Sequence, residues 1–179
     1  LGDVYKRQNT FCNLMDLTPK KDDLFDDKDF LNWKKRWKER LLINNNSTDK
    51  TIEKAQSIGV DKVVNIDDYL PGKSINAGIE VSNGDYIVLI SAHCIPVNDK
   101  WLENLVNAIE EDDSYAGVYG RQEPMTFSSL SDKRDLLLVF GLDRKVQVKD
   151  SFFHNANSIV KKKILKEIPF DSKTTNIED

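Results

Sequence analysis

The chain has 179 residues, of which 39% are hydrophobic and 31% are charged. This length and balance fit one globular domain with a sizeable core, and they exclude a disordered chain or two ordinary domains. The 26 basic and 30 acidic residues give a net charge of −4, which argues against a nucleic-acid-binding protein because such proteins usually carry a basic excess. Two cysteines are too few for a disulfide framework, and no apolar run is long enough to span a membrane, so we expect a reducing, cytoplasmic location.

The first eight residues have the character of a sequencing artefact. Residues 3–8 back-translate to GATGTGTATAAGAGACAG, which resembles the transposon end used to build sequencing libraries. We therefore interpret residues 1–8 as translated adaptor, with an ordinary polar terminus as the alternative. The remaining chain is divided into an uncertain segment, residues 9–40, and a partial domain, residues 41–179.

The segment before residue 41 begins polar and ends with a helical pattern. Phe30, Trp33 and Trp37 fall on one stripe among basic residues, as in an amphipathic helix. We expect this helix to pack its aromatic side chains on the domain. The alternative is that the stripe binds lipid headgroups, which would give a peripheral association with the inner face of a membrane.

From residue 41 onward, short apolar runs alternate with segments of helical periodicity. Strands are predicted at residues 41–43, 62–66, 85–90 and 115–119, and helices at residues 49–58, 73–82, 98–109, 128–140 and 161–167. Strands separated by helices usually pair in parallel, which predicts an α/β fold with an open, mostly parallel sheet and helices on both faces. Ligands of such sheets bind beyond the carboxyl ends of the strands, so the loops at residues 44–47, 69–73 and 91–95 are predicted to share one rim.

Five motifs after residue 41 follow the order found in family 2 glycosyltransferases. They are residues 44–51, 71–78, 84–90, 91–93 and 155–179. In that order they resemble the family's Asp-x-x-Ser-x-Asp-x-Thr loop, its Asn-x-Gly helix, its Gly-Asp-Tyr strand, its Asp-x-Asp position and its stretch ending in Glu-Asp. The resemblance implies a GT-A, nucleotide-diphospho-sugar transferase fold and inverting transfer of a sugar to an acceptor hydroxyl.

The resemblance also implies which residue removes the acceptor proton. Asp179 matches the family's catalytic base, with Glu178 as its neighbour, and such a base must lie within hydrogen-bond reach of the attacking hydroxyl. The alternative is that these two acidic residues are merely solvated. On the acceptor side we predict Gln122, Phe153, His154 and Asn155, with the two ring side chains able to stack on a sugar.

Donor-binding residues are predicted to be Asn44, Asn46, Ser47, Lys73 and Ser91. Asn44 occupies the place of a family aspartate that accepts from the nucleobase, and an amide can both accept and donate. Lys73 lies at the start of a predicted helix, where an ammonium group and the helix N-terminus could both meet a diphosphate. A solvated loop lysine is the alternative.

The metal site is where the sequence departs most from the family. Ser91 and His93 stand where the family has two aspartates, so we expect weakened metal binding. His93 is the predicted metal ligand, because an imidazole can bind Mn²⁺ while Mg²⁺ prefers oxygen ligands; alternatively it only bonds a phosphate or the backbone. A nucleophilic pair of His93 and Cys94 is not predicted, because adjacency in sequence does not supply the required geometry.

The implied partners are a nucleotide-sugar donor, a glycan or lipid-linked acceptor and a Mn²⁺ or Mg²⁺ cofactor, in cell-surface polysaccharide or glycolipid synthesis. Three other classes stay open: a non-catalytic sugar-nucleotide-binding relative, a sugar nucleotidyltransferase and an interaction module built on the tryptophan helix. The family's first strand and nucleotide loop are not visible before residue 41, and the chain stops at Asp179. We therefore expect this fragment to be weakly active or inactive.

Overall fold

The computed structural model describes residues 39–91, 94–149 and 152–174. In this part of the chain, strands and helices alternate as predicted. Their bounds are β1 (Leu41–Asn44), α1 (Thr51–Ser57), β2 (Lys62–Asn65), α2 (Pro71–Val81), β3 (Tyr86–Ile90), α3 (Trp101–Glu110), β4 (Gly117–Tyr119), α4 (Leu130–Phe140), β5 (Asn157–Lys161) and α5 (Lys162–Glu167). The predicted α/β class is confirmed, and every predicted strand and helix after residue 41 is present with its ends shifted by a few residues.

The strands form a parallel pair and an antiparallel group of three. β1 and β2 pair in parallel, as the sequence predicted, and Leu42 lies opposite Val63. β5 lies between β3 and β4 and is antiparallel to both. β3 and β4 therefore run in the same direction, as expected for strands joined through a helix, but the unpredicted β5 occupies the space between them and makes this sheet antiparallel.

Helices cover both faces of β5, and the core lies on either side of this strand. On one face, Val160 and Leu89 pack against Ile75 and Ile79 of α2 and Leu165 of α5. On the other face, Ile159 packs against Leu105 and Ile109 of α3. Successive strand residues point to opposite faces, and burial of each such aliphatic side chain contributes about 1.5–3 kcal/mol to stability.

Helix α4 begins with a capping box in which the Ser129 hydroxyl accepts from the Asp132 N–H and the Asp132 carboxylate accepts from the Ser129 N–H. Near the C-terminal end of α4, Phe140 is buried, whereas Leu137 is 53% exposed. No helix within residues 39–91, 94–149 and 152–174 is long and apolar enough to cross a bilayer.

Lys161 ends β5, whereas the sequence predicted that a helix begins at this residue. Its side chain is buried, and its Nζ donates to the Asp113 carbonyl at 2.7 Å. The next residue, Lys162, begins α5, and its Nζ donates to the Ser82 carbonyl. Both ammonium groups thus satisfy backbone carbonyls at this end of the sheet.

Candidate functional site

The loop after β1 is organised by the side chain of Asn44, which is only 1% exposed. Its Nδ2 donates to Asn65 Oδ1 at 2.8 Å, and its Oδ1 accepts from the Ser47 N–H at 3.2 Å. Asn46 has a positive φ of 47° and donates from Nδ2 to Asp67 Oδ1 at 3.2 Å. The carboxyl ends of β1 and β2 therefore meet as predicted, and both atoms of the Asn44 amide are used to shape the loop.

Lys73 lies in the first turn of α2, next to this loop region. Its Nζ is 3.2 Å from Asp68 Oδ2, and both side chains are exposed. An exposed ion pair of this kind contributes about 0–1 kcal/mol. The lysine can therefore exchange its carboxylate partner for an anionic ligand at little cost, which keeps the predicted phosphate contact open.

The end of β3 meets the beginning of β5 through backbone hydrogen bonds. The Ser91 N–H donates to the Ala156 carbonyl at 2.9 Å, and the Ser91 carbonyl accepts from the Cys94 N–H at 2.9 Å. Across β5, the Gly120 N–H donates to the Asn157 carbonyl at 2.9 Å. Because β5 runs between β3 and β4, its first residues bring the predicted donor residue Ser91 to the same edge as the loop that carries the predicted acceptor residues.

Gln122 and His154, both predicted on the acceptor side, are in contact at this edge. His154 Nδ1 lies 3.1 Å from Gln122 Nε2 and also accepts from the Ala156 N–H at 3.3 Å. The imidazole ring lies 5.2 Å from the Phe140 ring and 6.1 Å from the Phe152 ring, measured between centroids. The structure thus joins the two predicted residues in one hydrogen-bonded aromatic cluster.

Phe153 and Asn155 lie beside this cluster but are more deeply placed. Phe153 packs on the core beneath β5 and makes an edge contact with Tyr119 at 5.4 Å, while Asn155 is buried. Phe152, which the sequence analysis did not select, is 40% exposed. Phe152 is therefore the more accessible aromatic ring for a sugar, and the stacking role predicted for Phe153 stays a prediction.

Asn157 is a residue of this edge that sequence reasoning missed. Its Oδ1 accepts from Trp101 Nε1 at 2.7 Å, which ties the start of α3 to the start of β5. A Cβ at Gly120 would lie 2.4 Å from Asn157 Nδ2, so the glycine makes room for this amide. An asparagine between Ala156 and Ser158 predicts a turn, and only the tryptophan contact identifies its structural role.

The described residues at the end of β3 do not form a site for a divalent cation. Ser91 is 6% exposed and offers a neutral hydroxyl, and burial raises the pKa of the Cys94 thiol. Within residues 39–91, 94–149 and 152–174, no three or more His, Cys, Asp or Glu side chains are grouped to hold a metal. The predicted ligand His93 and the predicted catalytic pair Glu178 and Asp179 lie outside the described residues.

Comparison with known proteins agrees with this architecture. The model of the family described as glycosyl transferase family 2 matches residues 28–169. No curated protein sequence matches the chain significantly.

Solved structures resemble the chain at low sequence identity. A crystal structure of a mycobacterial protein is 18% identical with a TM-score of 0.52, over 74% of this chain and 46% of that one. Glucosyl-3-phosphoglycerate synthase from Mycobacterium tuberculosis in complex with UDP is 16% identical with a TM-score of 0.52, over 74% of this chain and 48% of that one. The same synthase with Mn²⁺, UDP and glucosyl-3-phosphoglycerate gives 16% and 0.52, over 75% and 50%. At these identities the likeness concerns the fold alone, and the chain spans about half the length of these proteins.

Proposed function

Because the chain belongs to glycosyltransferase family 2, we propose that it transfers a sugar from a nucleotide-sugar donor to an acceptor hydroxyl with inversion at the anomeric carbon. The family match over residues 28–169 is the observation that carries this proposal. The likeness in fold to a synthase that was crystallised with UDP supports a nucleotide-sugar donor.

We assign the donor to the end of β1 and the first turn of α2. The buried Asn44 holds the loop in shape, so that Asn46 and Ser47 are available to the nucleoside. Lys73 would exchange Asp68 for the diphosphate, and the N-terminus of α2 adds its partial positive charge. Ser91, at the end of β3, would contact the ribose.

In the proposed reaction, the Asp179 carboxylate takes the proton of the acceptor hydroxyl as that oxygen attacks the anomeric carbon. The bond from the anomeric carbon to the diphosphate oxygen breaks, and the nucleoside diphosphate leaves with the bonding electron pair. Attack opposite the leaving group inverts the configuration. Glu178 is proposed as the neighbour that keeps the base in place.

We also propose that the chain binds a divalent metal, but we assign this metal no step of the reaction. The similar synthase was crystallised with Mn²⁺ and UDP, and the candidate ligand in this chain is His93. A neutral imidazole suits Mn²⁺ better than Mg²⁺, which prefers hard oxygen donors. Because the described residues supply no ligand set at the end of β3, no step is assigned to the metal, and neutralisation of the diphosphate is assigned to Lys73 and α2.

The acceptor is assigned to the edge lined by Gln122, His154 and Asn155. A glycan or a lipid-linked glycan would meet the attacking position from this side, in line with a role in polysaccharide or glycolipid synthesis. A lipid-linked acceptor would also require contact with a membrane surface, which is the setting in which peripheral association is proposed.

A second candidate is a relative that binds sugar nucleotides without turning them over. The observation that favours it is that Ser91 is buried and carries a neutral hydroxyl. The family pattern has an aspartate at this position, and its carboxylate would bind a cation. The two candidates share the donor site and differ only in the chemistry that follows donor binding.

Calorimetry and a transfer assay on the same protein separate these candidates. UDP-, GDP- and dTDP-sugars are titrated into the 179-residue chain with and without Mn²⁺, and transfer from a radiolabelled donor to methyl glycosides is then measured. We expect binding and slow transfer, loss of transfer in Asp179→Asn with donor binding retained, and no effect of the exposed control Asp99→Asn. Binding without any transfer supports the second candidate, and absence of both binding and transfer contradicts the proposal.

A further inference from the structure

The ends of β1 and β2 are joined by two asparagine side chains. Asn44 and Asn65 lie opposite each other in the parallel register, and Asn44 Nδ2 donates to Asn65 Oδ1 at 2.8 Å. The Ile66 N–H donates to the Asn44 carbonyl at 2.9 Å, and Asn46 Nδ2 donates to Asp67 Oδ1 at 3.2 Å. These bonds hold Asn65 at the carboxyl end of the strand pair, beside the loop that we assign to the donor.

The orientation of both amides follows from one backbone N–H group. The Ser47 N–H donates to Asn44 Oδ1 at 3.2 Å, and a backbone N–H can only be a donor. The atom of the Asn44 amide that faces Asn65 is therefore Nδ2, which is a donor and needs an oxygen opposite it. Asn65 consequently turns its Oδ1 toward Asn44 and its Nδ2 away from it.

Asn65 is the amide of this pair that a ligand can reach. Asn44 is 1% exposed and both of its amide atoms are engaged, whereas Asn65 is exposed. A short loop leads from β2 to α2, so Asn65 and the first turn that carries Lys73 lie at the same edge of the sheet. Ligands of such sheets bind beyond the carboxyl ends of the strands, which places an N–H donor within the proposed donor site.

We propose that Asn65 determines the class of nucleobase in the donor. Its Nδ2–H donates to a keto oxygen, as carried at C4 by uracil and thymine and at C6 by guanine and hypoxanthine. Cytosine and adenine carry an amino group at these positions, which would set two donors against each other and leave both without a partner. The inference rests on the proposed function for the presence of a nucleotide at this edge, and it adds the class of base and the residue that selects it.

An Asn65→Asp variant reverses the polarity of the outward atom with little change in shape. One carboxylate oxygen still accepts from Asn44 Nδ2, and the other faces outward as an acceptor. The variant should fold, because Asn65 is exposed and its bond to Asn44 is kept. Asn104→Asp, at an exposed position of α3, is the matched control, because it adds the same charge away from the asparagine pair.

The first test is calorimetry of the full chain with two matched pairs of ligands, UDP with CDP and inosine diphosphate with ADP. The ligands within a pair share the ribose and the diphosphate. We expect the keto member to bind about tenfold more tightly, the value of one net hydrogen bond, in the unsubstituted chain and in Asn104→Asp. In Asn65→Asp we expect this preference to be lost or reversed. Equal affinities in the unsubstituted chain, or an unchanged preference in Asn65→Asp, would overturn the proposal.

The second test locates the contact by magnetic resonance in the full chain labelled with ¹⁵N-asparagine. The Asn65 side-chain signal is assigned by its absence from the spectrum of Asn65→Asp. We expect UDP to shift this signal and inorganic pyrophosphate, which has no base, to leave it in place. A signal that UDP does not move, or that pyrophosphate moves equally, contradicts a contact between Asn65 and the base.

Failure of this inference is distinguishable from failure of the proposed function. Transfer that depends on Asp179 does not involve the polarity of the Asn65 side chain. A chain that transfers sugar but binds UDP and CDP equally would refute only the selection of the base. A chain that prefers UDP through Asn65 but transfers no sugar would refute only the transfer, and a chain that binds none of the four nucleotides would refute both.

Discussion

Asn76 of α2 and Phe170, which follows α5, are joined by two hydrogen bonds although 94 residues separate them in sequence. Asn76 Nδ2 donates to the Phe170 carbonyl at 2.8 Å, and the Phe170 N–H donates to Asn76 Oδ1 at 3.1 Å. The Asn76 side-chain amide thus gives one hydrogen bond to the Phe170 backbone and accepts one from it, as the backbone of a neighbouring strand would. This clamp holds the segment that follows α5 onto α2, the helix that carries Lys73.

Replacing Asn76 by alanine is expected to destabilise the chain by about 1–3 kcal/mol, because a partly buried N–H and carbonyl at Phe170 lose their partners. Urea denaturation followed by circular dichroism measures the change. The control is Asn104→Ala on the exposed face of α3, which should leave stability unchanged or slightly raised because alanine favours helix. Equal effects of the two substitutions would show that the clamp adds nothing to stability.

Gly72 is expected to be less tolerant of alanine than Gly120, although both positions are crowded. A Cβ at Gly72 would lie 2.2 Å from the Asp171 carbonyl oxygen, so the backbone of one segment has to move. At Gly120 the nearest atom is Asn157 Nδ2, at 2.4 Å, the end of a side chain that can move at the cost of its hydrogen bond from Trp101 Nε1. We expect Gly72→Ala to lower the melting temperature more than Gly120→Ala, and the reverse order in a thermal melt would contradict this account.

Sequence reasoning recovered the elements whose signals are local. β1 and β3 are apolar runs that end at polar turn residues, and α2 begins at Pro71 and carries two aliphatic residues one turn apart. β5 was missed because it has only Ile159 and Val160 between polar residues and a lysine, too short a run to predict a strand. Its burial on both faces comes from its position between β3 and β4, which depends on residues far away in the chain.

In the candidate site, too, the sequence predicted the features that depend on neighbouring residues and missed the contacts between distant segments. The loop containing Asn44 and Asn46 follows its strand directly, so the parallel order of β1 and β2 was enough to locate it. The contact of Ser91 with Ala156 and the clamp formed by Asn76 both depend on where β5 and the segment after α5 pack. No local pattern encodes such pairings, because the partner backbone groups carry no residue-specific signal.

Glu39 makes a pH-dependent contribution to stability. Its carboxylate accepts from Lys62 Nζ, at 2.6 Å, and from the Asn83 backbone and side-chain N–H groups, and these bonds hold its pKa below the usual 4.5. A lowered folded-state pKa gives stability that is present above the unfolded value and is lost as the pH falls through the folded value. The contribution should therefore be complete at neutral pH and disappear in acid.

Melting temperatures of the unsubstituted chain and Glu39→Gln test this at two pH values. We expect Glu39→Gln to lower the melting temperature at about pH 7 and to have a smaller effect at about pH 3, which lies below the unfolded-state pKa and where part of the contribution of the carboxylate is lost. A constant effect of Glu39→Gln at both values would assign its role to packing instead.

Ser91→Asp tests whether the end of β3 can hold a cation. Ser91 is 6% exposed, and a carboxylate buried there without a partner costs stability, so we expect Ser91→Asp to melt below the unsubstituted chain in EDTA. A cation that binds the folded state restores stability, by about 2.7 kcal/mol at a hundredfold excess over its dissociation constant. Mn²⁺ should therefore raise the melting temperature of Ser91→Asp more than that of the unsubstituted chain.

The control for this prediction is Ser158→Asp in β5. Ser158 is fully buried, and its Oγ has no hydrogen-bond partner among the described residues, so a carboxylate there carries the same burial cost away from the end of β3. Ser158→Asp should lose stability without regaining it in Mn²⁺. If Mn²⁺ stabilises both variants equally, or neither, then Ser91 does not occupy a metal-binding position and the carboxylate of the family pattern has no counterpart here.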